Sequence, residues 1–157
     1  MKIGLISDTH DFFEPRLETI FAGVDHILHA GDVGSDWILT QLAGLAPVTA
    51  VLGNTDAGLA LPLTQVKTLG PLKVLLHHIV TPYALTRELA ARIQQEQPQL
   101  VVFGHTHQQF QQRLNGTWFL NPGYAGKPKY GAERSVALLE TAAGKSAVKF
   151  IKLPNPR

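Results

Sequence analysis

Four short apolar runs in this chain stop abruptly at polar clusters, and that repetition limits the fold more than any other feature. Ile3 to Ile6 runs into Ser7-Asp8-Thr9-His10 and Ile27 to His29 into Ala30-Gly31-Asp32. Val48 to Leu52 runs into Gly53-Asn54-Thr55-Asp56, and Val101 to Phe103 into Gly104-His105-Thr106-His107. Runs this short and this apolar suit strands covered on both faces. Between them lie helical patterns. Pro15 to Ala22 places Leu17, Ile20 and Phe21 on one side, and Ser35 caps a stretch carrying Ile38, Leu39 and Leu42. Strands alternating with helices predict a parallel sheet with helices on its faces.

The remainder is patterned differently. Thr64 to Leu69 and Leu72 to His77 flank Gly70-Pro71 and read as a hairpin. A helix follows, with Thr81 as cap, Pro82 at its first position, Leu85, Leu89 and Ile93 in one stripe, and Pro98 as the stop. Leu100 to Phe103 is a further buried strand. Asn115-Gly116 and Ala143-Gly144 then mark two more hairpins. The reading is α/β with an added antiparallel portion, two sheets packed together and covered by helices. With no repeat or linker, residues 1–157 form a single domain.

Composition removes several chemistries. The chain has no cysteine, which excludes disulfides, thiolate metal sites and cysteine nucleophiles. Its net charge is only +2, and Lys and Arg are scattered, densest at Lys127, Lys129 and Arg134, so charge does not indicate nucleic-acid binding. The apolar start is cut off by Ser7-Asp8, too early for a signal sequence, and no window nears the roughly 18 apolar residues of a membrane span. A cytoplasmic protein without a membrane partner is expected. Gly144-Lys145-Ser146 lacks the first glycine of a phosphate-binding loop, and no Gly-x-Ser-x-Gly elbow exists.

In open α/β sheets, ligand sites gather beyond the carboxyl ends of the strands, so the clusters should converge, with His77 ending a hairpin strand in the same way. Singly, each residue has a bland reading. An aspartate after a strand is usually a cap, Asn54 is turn chemistry and His77 a satisfied core or rim ring. Together, two aspartates, an asparagine and four histidines supply oxygen and imidazole donors suited to manganese, iron, zinc, cobalt or nickel. Seven donors exceed one ion's need and match two ions about 3.5 Å apart that share a carboxylate, an arrangement used for phosphoryl chemistry.

Asp8-x-His10, Gly31-Asp32, Gly53-Asn54-x-Asp56, His77 and Gly104-His105-x-His107, in that order, resemble the calcineurin-like metallophosphoesterases, in particular their small bacterial and archaeal phosphodiesterase branch. Asn121-Pro122-Gly123 and the Arg134 to Glu140 strand extend the likeness over nearly the whole chain. The resemblance implies a metallo-dependent phosphatase-like fold, a four-layer sandwich of two mixed β-sheets flanked by helices. It also implies one divalent ion on Asp8, His10, Asp32 and His107 and another on Asp32, Asn54, His77 and His105, with Asp32 bridging. Manganese is the first choice, with nickel, iron, zinc or cobalt as substitutes, and Asp32, Asn54 and His105 are expected to carry catalysis as well. The implied reaction is hydrolysis of a phosphate ester, foremost a phosphodiester, by in-line attack of a hydroxide bridging the two metals. The alternative is a protein-interaction scaffold, since relatives of this fold serve as assembly subunits in membrane-coat complexes.

Two positions depart from the family pattern. Many members carry a histidine as general acid where this chain has Thr55, and a threonine hydroxyl is no acid near neutral pH. The usual His-Gly is His77-His78, with His78 read as a supporting donor or an exposed ring. Four further expectations complete the reading. His29 either orients a ligand or is buried and neutral; His26 is a surface ring; Asp56 orients the Asn54 loop; Lys127, Lys129 and Arg134 belong to a solvated loop.

Overall fold

The computed structural model describes residues 1–155. Ten strands and three helices follow one another as β1 (Lys2–Ile6), α1 (Leu17–Ile20), β2 (His26–His29), α2 (Asp36–Ala43), β3 (Val48–Ala50), β4 (Thr64–Leu69), β5 (Leu72–His77), α3 (Arg87–Glu96), β6 (Leu100–Val102), β7 (Gln109–Leu114), β8 (Thr117–Pro122), β9 (Arg134–Ala142) and β10 (Lys145–Leu153). They form two five-stranded mixed sheets, ordered β10-β9-β1-β2-β3 and β4-β5-β6-β8-β7. In the first, β1, β2 and β3 run parallel; in the second, β5, β6 and β8 do.

Strand alternation sorts the apolar residues into layers. Ile3 and Leu5, Leu28, Val74 and Leu76, Leu100 and Val102, and Trp118 and Leu120 point between the sheets and form the central core. Their sequence neighbours face outward. Ile6 and Ile27 meet Phe21, Ile38 and Leu42 beneath the first two helices. Leu75, Val101 and Phe119 meet Leu89 and Ile93 of the third. Three apolar interlayers make four layers of secondary structure, which is the sandwich that the sequence predicts. Burying each such side chain contributes about 1.5–3 kcal/mol.

The helices differ from expectation at their starts. α1 has one turn of the predicted 15–22 stretch. Ser35 occupies the N-cap of α2, but its hydroxyl donates to the Asp11 carboxylate instead of capping the helix. α3 begins at Arg87, not after Thr81, because Thr86 is the cap: its side chain accepts from the Leu89 amide at 3.2 Å. Thr81 instead accepts a turn bond from the Ala84 amide, and the helix ends at left-handed Gln97 just before Pro98.

Arg134 is the largest fully buried side chain, so it does not belong to the solvated loop expected for it. Its guanidinium donates to Glu14 Oε2 at 2.9 Å and to the carbonyls of Gly126 and Pro154. It ties the start of β9 and the residue just past β10 to the segment before α1. His26 is likewise buried, with its ring bonded to Thr49 Oγ1 at 2.8 Å.

Candidate metal centre

The parallel strands of both sheets end at one edge, where the polar clusters meet. β1 delivers Asp8 and His10, β2 delivers Asp32, and the segment after β3 delivers Asn54. From the second sheet, β5 delivers a histidine and β6 leads into His105 and His107. The turns are sharp. Asp8, His10, Asp32, His105 and His107 all have positive φ, between 45° and 72°, where side chains with a Cβ are uncommon. Backbone strain of this kind gathers at functional sites, where surrounding structure holds it in place.

Each carboxylate is turned by its outer oxygen. Asp8 Oδ2 accepts from the Ser7 hydroxyl at 2.7 Å and from the His105 amide at 3.1 Å. Asp32 Oδ1 accepts from the Thr55 amide at 2.9 Å. The inner oxygens face imidazole nitrogens. Asp8 Oδ1 lies 3.3 Å from His107 Nε2 and 3.8 Å from both His10 Nε2 and His78 Nε2. Asp32 Oδ2 lies 3.6 Å from His10 Nε2 and 3.2 Å from His78 Nε2. Asp8, His10 and His107 form one group able to hold a metal ion, and Asp8, Asp32 and His78 a second.

His78 stands where His77 was expected. Along β5, Val74 and Leu76 face the other sheet while Leu75 faces α3, so His77 continues the outward phase and His78 the inward one. His77 accordingly leaves the centre and its Nδ1 bonds Thr64 Oγ1 on the paired strand at 2.7 Å. His78, read from sequence as a supporting or exposed ring, is buried. Its Nδ1 donates to the Ala30 carbonyl at 2.7 Å, which fixes the tautomer and leaves the Nε2 lone pair aimed at the two aspartates. Gly31 makes room for it: φ there is +104°, and a Cβ would sit 2.7 Å from His78 Nδ1. Gly104 does the same for Asp8, since a Cβ would lie 2.6 Å from Asp8 Oδ2.

The remaining candidate donors line the rim. His105 Nδ1 lies 3.0 Å from Asn54 Oδ1, and its ring meets His78 edge-on at 5.4 Å between centroids. His107 stacks on Tyr124 at 4.7 Å. The Asp8 and Asp32 carboxylates and His78 thus form a buried floor under a partly open ring of His10, Asn54, His105 and His107.

Charge at the site follows from this packing. Burial raises the Asp32 carboxyl, but the Thr55 amide and hydroxyl, with His78 and His10 nearby, outweigh it and hold the group below the usual carboxylate range. Burial lowers His107, against the pull of Asp8 and with the help of Lys129. Both shifts favour the forms that offer lone pairs. Behind the floor, burial pushes His29 down to about 3. Its Nδ1 accepts from the Gly31 amide, so Nε2–H donates to Thr9 Oγ1, whose hydroxyl donates to the Val33 carbonyl. His29 is buried and neutral, and it braces the backbone on both sides of the aspartates. Asp56 accepts from the amides of Val33, Gly34 and Gly53, tying the Asn54 loop to the turn after Asp32.

Known proteins share this arrangement of chain. A probable metallophosphoesterase of Methanothermobacter thermautotrophicus is 35% identical over 164 aligned residues, covering 99% of this chain and 95% of the relative. A phosphodiesterase of Methanocaldococcus jannaschii is 25% identical over 138 residues, covering 78% of this chain and 83% of the relative. Among solved structures, wild-type Vps29 of Entamoeba histolytica complexed with Zn²⁺ matches with a TM-score of 0.73 at 26% identity, over 97% of this chain and 99% of that one. The Calcineurin-like phosphoesterase superfamily domain matches residues 1–144, and the chain belongs to that superfamily.

Proposed function

We propose that the protein is a metal-dependent phosphodiesterase with a two-ion centre between its sheets. The observation that carries this reading is a pair of buried atoms, Asp8 Oδ1 and His78 Nε2, that find no hydrogen-bond partner among the described residues and lie beside Asp32 Oδ2. Buried polar atoms left unpaired are costly, and two carboxylates facing an imidazole lone pair need positive charge among them. A divalent cation meets both needs.

Asp8, His10, Asp32 and His107 fit one ion, and Asp32, Asn54, His78 and His105 the other, with Asp32 Oδ2 between His10 and His78. Nitrogen and oxygen donors without thiolate suit manganese first, then iron, nickel, zinc or cobalt. Ions bound there supply a hydroxide nucleophile at neutral pH and offset charge that develops on the phosphoryl oxygens. The chain supplies orientation: Ser7 and the His105 amide aim Asp8, Thr55 aims Asp32, and the Ala30 carbonyl sets the His78 tautomer. Hydrolysis adds water across one P–O ester bond. With Thr55 in the acid's usual place, the departing oxygen takes its proton from solvent. The name of the M. jannaschii relative supports a diester substrate.

A second reading, an interaction subunit, is favoured by the likeness to Vps29. Calorimetric titration with Mn²⁺, together with release of p-nitrophenolate from bis(p-nitrophenyl) phosphate, separates the two. The enzyme reading expects about two ions per chain, hydrolysis that chelation abolishes, and loss of both on Asp32→Asn. A wild-type chain that binds no divalent ion overturns it.

A further inference from the structure

A cleft of about 520 Å³ opens at His107 and runs between the 106–109 segment and the 131–135 segment. Because His107 both lines the cleft and faces Asp8 at the metal centre, an arm of a substrate held at the centre can extend into it. Its formal charge is one-sided. The hydroxyls along it are partly engaged: Thr106 accepts from the Asn121 side-chain amide, and Ser135 donates to the Pro122 carbonyl at 2.7 Å. Gln108, Gln109 and Glu133 are exposed along the cleft, and among the described residues their side chains make no hydrogen bond or ion pair. Among the described residues, no lysine or arginine lines it.

The two amides offer both donors and acceptors, and the Glu133 carboxylate adds an acceptor whose negative charge repels anions. A carboxylate takes a bidentate pair of bonds from adjacent hydroxyls, the way acidic residues hold a ribose in dinucleotide sites. A second phosphate would instead meet the Glu133 charge, with no lysine or arginine among the described lining residues to offset it. We propose that this cleft is the subsite for a neutral, hydroxyl-bearing ester arm, glyceryl or ribosyl, and that Glu133 selects it over an arm carrying a further phosphate. The assignment rests on the phosphodiesterase reading and narrows its substrate to diesters of a polyol, as opposed to a polyphosphate or a continuing nucleic-acid strand.

The test uses p-nitrophenyl diesters that share a leaving group and differ in the retained arm: methyl, glyceryl, or a phosphate-terminated chain. A hydrogen bond to a charged group corresponds to about 10- to 100-fold. The wild-type protein with Mn²⁺ is expected to favour glyceryl over methyl by that factor in kcat/KM and to discriminate against the phosphate-terminated arm. Glu133→Gln should collapse the first ratio, and Glu133→Lys should reverse the second. Equal kcat/KM for methyl and glyceryl arms in the wild type, or a glyceryl preference that survives Glu133→Gln, overturns the assignment. Should no diester release nitrophenolate, the phosphodiesterase reading is what fails. The cleft is then judged by calorimetric binding of glycerol phosphate against methyl phosphate to the manganese-loaded chain, where equal affinities overturn the assignment and a glyceryl preference lost in Glu133→Gln upholds it.

Discussion

His78 Nε2 lies 3.2 Å from Asp32 Oδ2, whereas the adjacent His77 points to the other face and bonds Thr64 of the paired strand β4. Two neighbouring imidazoles therefore have unequal consequences. With His78 holding an ion as proposed, its removal forfeits several kcal/mol of charge stabilisation, so His78→Ala is expected to lower kcat/KM at least ~100-fold and weaken Mn²⁺ binding. His77→Ala, which loses one partly exposed hydrogen bond, should stay within ~10-fold of wild type. Parallel metal titrations and rate measurements on the two variants check this, and equal losses would contradict the placement.

Thr55 predicts a steep dependence on the leaving group. General acid catalysis contributes about 10²- to 10⁴-fold, and without it the rate should fall sharply as leaving-group pKa rises. Aryl diesters should be hydrolysed well and alkyl diesters poorly. A series of diesters with graded leaving groups measures the slope, and a flat line would show that another residue supplies the proton.

Arg134 and Glu14 make a buried pair at 2.9 Å, with the remaining guanidinium nitrogens on carbonyls. Breaking such a pair costs about 3–5 kcal/mol because one charge is left buried and alone. Glu14→Ala should lower the melting temperature by roughly 6–20 °C for a domain of this size. Differential scanning calorimetry on metal-free protein checks it, with Glu14→Gln expected to lose less.

His29 makes folding stability depend on pH. Its folded pKa, about 3, lies below the unfolded value of 6.5, so between these values the unfolded chain binds a proton that the folded chain does not. Stability is therefore complete above pH 6.5 and is lost as pH falls toward 3, by up to about 1.4 kcal/mol per unit for this one group. Urea unfolding of chelator-treated protein between pH 7 and 5 reads the slope, and His29→Gln should flatten it by His29's share.

Gly31 predicts a stability loss tied to the site. An alanine there would hold φ near +104° and press on the His78 ring, at a cost of about 1–3 kcal/mol. Gly31→Ala should both unfold at lower urea concentration and bind Mn²⁺ more weakly. Gly23→Ala, where a Cβ meets nothing within 4 Å, is the control for backbone strain alone.

Most of this architecture is legible in the residue pattern because strands carry a short period and turns a specific chemistry. The Asn115-Gly116 turn, with φ of 51° and 80°, joins β7 to β8 where the pair predicts it. The choice between His77 and His78 was legible too, since counting alternate residues from the buried Val74 and Leu76 gives the even number. The motif's usual order obscured that count. The start of α3 was less accessible, because Thr81-Pro82 and Thr86 both satisfy the local rules for a cap and only packing of Leu89 against the second sheet selects Thr86. The burial of Arg134 was not legible at all: its partner Glu14 lies 120 residues away, and nothing local marks either as paired.

The proposed donors are divided between the two sheets, with Asp8, His10, Asp32 and Asn54 on one side and His78, His105 and His107 on the other. A cation that touches both sets acts as a rivet through the sandwich. Its binding energy is available only while the halves are docked, so loading the site should also stiffen the seam and slow amide exchange in β5 and β6.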